Sequence, residues 1–171
     1  MPLPSTMTPI ATTTLNSAAA TITFSSIPST YTDLVFIIQL ASTSSNTLFY
    51  RFNGNTGTNY STTRLSGSGT SALSDRSLNS TFGSLTNYAY PTTTIGNTMA
   101  IFTVMNYSNS TTNKTSLARS DAAGAGTDAV VNLWRQTSVI NEVSFSTNGF
   151  GAGTPISANS TITLYGIKAA P

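Results

Sequence analysis

The sequence contains no histidine and no cysteine, and only seven basic and five acidic side chains occur among its 171 residues. General acid–base and nucleophilic catalysis draw mostly on His, Cys and paired carboxylates. Ser-His-Asp and Cys-His catalysis, zinc sites with His or Cys ligands, and disulfides are therefore excluded. We expect a protein that has no catalytic residues, no metal ligands and no cofactor.

The carboxylates are too few and too scattered to favour a hydrolase, which needs two that face each other. Asp33 lies at the start of a predicted strand and Asp75 adjoins Arg76, so we interpret both as turn or salt-bridge residues. Asp121 and Asp128 bracket a glycine-containing segment and offer oxygen ligands for Ca²⁺. Their spacing matches no EF-hand, and a turn-forming role is the favoured interpretation.

Positive charge is equally sparse, with a formal net charge of +2. Nucleic-acid-binding surfaces cluster Lys and Arg, whereas the basic residues here are spread along the chain. The longest apolar run, residues 34–40, is too short to cross a bilayer, and the N-terminal segment lacks the basic and apolar regions of a secretory signal. We expect a protein that binds neither nucleic acid nor membrane, and that stays where it is made or leaves by cell lysis or assembly.

One residue in three is Ser or Thr, and 39% of the residues are hydrophobic. Short apolar runs rich in β-branched residues alternate with Ser, Thr, Asn and Gly clusters, a pattern typical of an all-β sandwich or jelly roll. Residues 71–79 are the only segment for which we predict a short helical turn, and residues 121–128 are predicted to be a flexible connection. The predicted strands are residues 21–24, 33–41, 48–53, 60–65, 82–85, 98–106, 115–119, 129–135, 143–146 and 161–167.

Within this pattern, residues 33–41 (DLVFIIQLA) are apolar enough to predict a central strand that is covered on both faces. The first residues carry Pro2, Pro4 and Pro9, which cannot donate ladder hydrogen bonds. We therefore predict an extended N-terminal arm over residues 1–14. A single antiparallel, jelly-roll-like β-sandwich follows over residues 15–171.

The aromatic residues Tyr60, Tyr88, Tyr90 and Trp134 are the candidate contact residues, for a partner subunit or a glycan. Tyrosines near turns, with Asn close by, suit wet binding faces. The favoured alternative is that they pack at the rim of the sandwich, and a lone Trp within an apolar strand is either core or an interface anchor. Arg51 and Arg135 are expected to donate to loop carbonyls or to a neighbouring subunit.

Four segments have a distinctive sequence: residues 26–34 (SIPSTYTDL), 49–60 (FYRFNGNTGTNY), 133–135 (LWR) and 164–168 (LYGIK). Together they resemble a group of tailed-phage virion proteins, which occur as small structural proteins or as end domains of tail-fibre proteins. The resemblance extends over nearly the whole chain from about residue 21, in the same order. Its motifs are structural, so no catalytic residue is transferred.

The resemblance implies a jelly-roll-like domain that is made in the host cytoplasm and is present in many copies on a virion. The first expectation is a capsid decoration (cement) protein, a homotrimer that clamps neighbouring major capsid subunits, with the N-terminal arm lying across a neighbour. Augmentation by strands or arms provides main-chain hydrogen bonds without charge. The alternative is a tail-fibre or spike tip that binds host glycan, and a carbohydrate-active enzyme is the least favoured.

Overall fold

The computed structural model describes residues 6–151 and 155–168. The described residues form twelve β-strands: β1 (Met7–Thr14), β2 (Ile22–Phe24), β3 (Asp33–Leu40), β4 (Phe49–Phe52), β5 (Tyr60–Gly67), β6 (Ala72–Ser80), β7 (Gly83–Ser84), β8 (Thr98–Val104), β9 (Lys114–Ala122), β10 (Gly126–Trp134), β11 (Val143–Ser146) and β12 (Thr161–Ile167).

The strands form two antiparallel sheets that share one hydrophobic core. The large sheet has eight strands in the order β1-β12-β3-β8-β9-β10-β5-β6, and the small sheet has four in the order β2-β11-β4-β7. Aromatic rings join the two sheets: the Phe36 ring of β3 lies 5.2 Å from the Phe145 ring of β11. The prediction of a single antiparallel β-sandwich is confirmed.

Alternation of side chains along each strand decides which face is buried. In β3, Leu34, Phe36 and Ile38 are buried against the small sheet, whereas Val35 and Ile37 are only half-buried on the opposite face. The prediction that β3 is covered on both faces is therefore wrong. Apolar residues occur on both sides of this strand, but the small sheet covers one side only.

Two further local predictions are wrong. Residues 72–79 of this segment lie in the strand β6. Pairing with β5 stabilises an extended conformation that the local sequence leaves undecided. Residues 121–128 are not a flexible connection, since β9 and β10 run into this segment and only residues 123–125 form the turn, closed by a 2.7 Å hydrogen bond from the Ala125 amide to the Ala122 carbonyl.

The predicted N-terminal arm is extended where the structure describes it. Residues 7–14 form β1, which pairs with β12 at one edge of the large sheet. The register shifts between Pro9 and Ala11, so Ile10 is an extra residue in a bulge beside a proline that has no N–H to donate. Residues 1–5 of the predicted arm lie outside the described residues.

Candidate interaction surfaces

Tyr60 and Trp134, two of the predicted contact residues, are part of the core. They face each other across β5 and β10 on the inner face of the large sheet, and their exposed fractions are 0% and 2%. The Tyr60 hydroxyl accepts a 2.9 Å hydrogen bond from the Phe52 amide, and burial raises the pKa of Tyr60 to about 12. As folded, neither ring reaches a partner or a glycan, because the strand alternation directs both inward.

Tyr88 and Tyr90 lie half-buried in the connection between β7 and β8. Tyr90 lines a depression of about 290 Å³ at one end of the sandwich, and its other polar lining residues are Ser45, Thr92, Thr94 and Asn97. An aromatic ring beside hydroxyl and amide groups provides both stacking and hydrogen bonding for a sugar. The structure thus places Tyr90 beside hydroxyl and amide side chains, whereas Tyr88 is not part of this depression.

A buried carboxylate anchors the same connection. Asp128 is 1% exposed and accepts hydrogen bonds from the backbone amides of Asn87, Tyr88 and Ala89 at 2.6, 3.1 and 2.8 Å. Asp121 is exposed on the opposite face of the sheet, so these two carboxylates do not share a cation. Asp128 serves to hold the connection between β7 and β8 against β10.

A buried ammonium has the corresponding role at the other end of the β9–β10 hairpin. Lys114 is 1% exposed, and its Nζ donates to the carbonyls of Asn109, Thr112 and Thr137 at 2.5, 2.8 and 3.0 Å. Burial lowers the pKa of Lys114. This side chain ties the β8–β9 connection to the segment that follows β10.

The arginine side chains bind loop carbonyls, as predicted from the sequence. Arg51 Nε donates to the Thr81 carbonyl at 3.0 Å, and Arg135 Nη2 donates to the Thr58 carbonyl at 2.8 Å. Asp75 is a salt-bridge residue, as expected, but its partner is Arg64 of the adjacent strand at 2.7 Å. Hydrogen bonds from Arg64 lower the pKa of Asp75.

The outer face of the large sheet is a surface that sequence reasoning missed. Its exposed side chains include Leu65, Ile101, Leu117 and Val131, with Leu65 62% exposed. The strand registers align the outward-facing side chains of five strands in three rows. We define the outer face as Val35, Ile37 and Gln39 of β3, Met99, Ile101 and Thr103 of β8, Leu117, Arg119 and Asp121 of β9, Thr127, Ala129 and Val131 of β10, and Thr63, Leu65 and Gly67 of β5.

A signal for this face was present in the sequence. In β8 (TMAIFTV), Phe102 and Val104 alternate with Met99 and Ile101, so apolar side chains occur at both parities. A strand with one solvated face normally alternates apolar with polar residues. The excess of apolar residues therefore indicated either a second covering layer or an exposed apolar surface, and only the tertiary structure distinguishes the two.

The strand β6 is an open edge of the large sheet, at the opposite end from β1. It pairs with β5 on one side only, and most of its side chains are exposed, including Leu73 and Leu78, which lie on opposite faces. Strands at a sheet edge present unpaired N–H and C=O groups that another chain is able to pair with. Within residues 6–151 and 155–168, no three acidic side chains cluster as metal ligands, and no helix has the length and hydropathy of a membrane span.

The segments that carry the phage-protein resemblance have structural roles. Asn53, which adopts a positive φ of 50°, accepts hydrogen bonds from the amides of Asn141 and Glu142 and donates to the Val139 carbonyl. Gly166 lies against the Tyr31 ring, where a Cβ would come within 2.3 Å of a ring atom. Asn53 thus connects the turn after β4 to residues 139–142, and Gly166 leaves room for the Tyr31 ring. These contacts do not by themselves constitute a binding site.

Comparison with known proteins adds little. No protein-family model matches the chain, and no curated protein matches it. One similar solved structure is the crystal structure of a protein of unknown function from Shewanella oneidensis MR-1, which is 11% identical, with 96% of this chain and 71% of that chain covered and a TM-score of 0.24. Similarity at this level supports no argument about fold or function.

Proposed function

We propose that this protein is a structural component of a tailed-phage virion, and specifically a capsid decoration protein that clamps neighbouring major capsid subunits. The observation that carries the proposal is the outer face of the large sheet, where large apolar side chains are exposed in register. Contiguous exposed apolar surface of this kind marks interaction sites, because burying it against a partner is favourable. Such a surface suits a protein that is present in many copies within an assembly.

The edge strand β6 supplies a second means of attachment. Its free main-chain groups would allow a capsid subunit to add a strand to the sheet. Only Asp75 and Arg76 are charged in β6, and Asp75 is already paired with Arg64. Attachment through main-chain hydrogen bonds and apolar contact would be less sensitive to salt than attachment through exposed ion pairs.

The resemblance to phage virion proteins supports the same conclusion. Its segments include Asn53, which hydrogen-bonds to a neighbouring loop, and Gly166, which packs against the Tyr31 ring. A sequence pattern that maintains a fold is consistent with a shared structural role. It does not by itself distinguish capsid from tail.

The proposal is tested on purified phage particles that contain this protein. Quantitative mass spectrometry against the major capsid protein should give hundreds of copies per particle, and a cryo-EM map should place the sandwich on the outer capsid surface. A stoichiometry of a few to a few dozen copies, with density at the tail, would contradict the decoration role while retaining a virion role. Absence of the protein from particles would contradict both.

The Tyr90 depression favours a second candidate, a tail-fibre or spike tip that recognises host surface glycan. Here the Tyr90 ring would stack on a sugar while Asn97 and Thr92 bind its hydroxyl groups. On a glycan array, Tyr90→Ala should abolish any specific signal. Tyr88→Ala is the matched control, because Tyr88 belongs to the same connection but does not line the depression. The absence of any signal for the wild-type protein would rule out this candidate.

A further inference from the structure

We infer that the two rows of the outer face that contain Arg119 and Asp121 pack against the same two rows of a second copy of this chain, in a closed dimer with two-fold symmetry. The inference rests on the proposed function and names the occupant of part of the outer face, which leaves the edge strand β6 for attachment to the capsid. It specifies a dimer where the resemblance implies a trimer. The charges and the shape of the outer face both support it.

The charges of the outer face are self-complementary. Arg119 and Asp121 are exposed next-but-one neighbours on β9, and neither side chain has an ion pair or hydrogen bond within the described residues, where Arg64–Asp75 is the one ion pair found. In such a dimer, the two-fold axis lies midway between the two facing sheets, perpendicular to β9 and directly above Ser120. It places Arg119 opposite Asp121 of the second copy and Asp121 opposite Arg119, so both pairs form at once.

The same axis also matches the shapes of the two surfaces. The row of Arg119 contains Leu65 and Ile101, and the row of Asp121 contains Gly67 and Met99. Leu65 therefore projects over Gly67 of the second copy, where the sheet has no side chain. A depression lies at this position in each copy, and its lining includes Leu65, Gly67, Ala72, Thr127 and Ala129. Ile101 meets Met99 of the second copy, so apolar contacts flank the charges.

The separation of the sheets suits these contacts. Facing sheets pack about 10 Å apart, a distance that an arginine and an aspartate side chain bridge together. An unrelated partner would need its own charges in the reverse order and its own projecting residue at the correct spacing. A second copy supplies all of these by symmetry, because a two-fold interface is formed by the same patch on both subunits.

The experiment is a charge-swap series on the full chain, with mass measured by analytical ultracentrifugation over micromolar to millimolar concentrations. The wild-type protein should sediment as a dimer. Arg119→Asp or Asp121→Arg each converts two attractive pairs into two repulsive ones and should raise the dissociation constant at least about 10-fold. The double variant R119D/D121R should restore dimerisation to near the wild-type value. Lys168→Asp makes the same charge change as Arg119→Asp at a position outside the outer face, and it should leave the dimer intact.

A second variant tests the shape argument without altering charge. A Cβ at Gly67 would meet no atom within 4 Å in the single chain, so Gly67→Leu should fold normally while filling the depression that receives Leu65. We expect it to abolish the dimer with circular dichroism and thermal unfolding unchanged. A dimer that persists in Gly67→Leu would overturn the inference.

Three other outcomes would also overturn it: a monomeric wild-type protein, a trimer, or a double charge swap that fails to restore association. The failure of the inference is distinguishable from the failure of the proposed function. A monomer that still decorates particles would refute the dimer only. A dimer with the predicted charge dependence that is absent from particles would refute the virion role only.

Discussion

The two faces of the large sheet use the same strands for different purposes. On the inner face, the charges of Lys114 and Asp128 are each surrounded by three backbone groups of opposite polarity. On the outer face, Arg119 and Asp121 lie on the strand β9, and neither charge has a partner within the described residues. The charged side chains of the inner face hold the connections between strands in place, whereas those of the outer face are free to pair with another molecule.

This difference predicts opposite consequences for mutation. Removing an inner-face charge leaves buried backbone groups without partners, which costs stability. Removing an outer-face charge leaves no hydrogen-bonding group of the single chain without its partner. Stability and association should therefore respond to different faces.

The largest effect is expected for Asp128→Ala. Three backbone amides would lose their acceptor, which costs about 1–3 kcal/mol for the buried Ala89 amide and less for the two half-buried ones. The free energy of unfolding should therefore fall by about 3 kcal/mol. Urea unfolding followed by tryptophan fluorescence measures the change. Asp121→Ala on the outer face is the matched control, and we expect it to change stability by less than about 0.5 kcal/mol. Equal effects of the two substitutions would remove the distinction between the faces.

An intermediate effect is expected at alkaline pH. Burial raises the pKa of Tyr50, and that of Tyr60 to about 12, from an ordinary value of 10.0. Both therefore contribute stability that is fully present below about pH 10 and is lost as the pH rises through the folded-state values. For Tyr60 the loss is about 1.4 kcal/mol per pH unit over this range. The lowered pKa of Lys114 acts in the opposite direction, since raising the pH removes the cost of its buried charge.

Urea unfolding between about pH 8 and pH 11, combined with phenolate absorbance, tests this pH dependence. Tyr60→Phe should flatten the decline, although it also removes the hydrogen bond to the Phe52 amide and lowers stability at neutral pH. Complete ionisation of all tyrosines near pH 10 without unfolding would contradict the burial of these two rings.

The smallest effect on stability is expected for Ile101→Thr on the outer face. Ile101 is 40% exposed, and Thr retains the β-branched shape that strands favour. The free energy of unfolding of the single chain should change by less than about 0.5 kcal/mol, whereas self-association should weaken. Ala100→Thr is the matched control on the inner face, where a larger and polar side chain should destabilise the core. Equal losses of stability at both positions would show that the outer face is also packed within one chain.

Much of the fold could be predicted from local pattern. The strands 22–24, 49–52 and 161–167 lie within predicted segments, because their periodicity of two reflects one buried face. The strand 98–104 also lies within a predicted segment, which was recognised from its high apolar content. The assignment of residues 71–79 failed because β6 has exposed side chains on both faces, which leaves no periodicity to detect. The contact residues were harder to predict, because the direction of the Tyr60 side chain depends on the pairing of β5 with β10.

By itself, the amino-acid sequence determined that this is a β protein without the side chains for His- or Cys-dependent chemistry, since composition and periodicity are local properties. Tertiary structure alone decided that Tyr60 and Trp134 are core, that Asp128 and Lys114 anchor connections, and that the apolar residues of β8, β9 and β10 form one exposed surface. Those outcomes depend on strand order and register, which join residues far apart in the chain and fix the face that the small sheet covers.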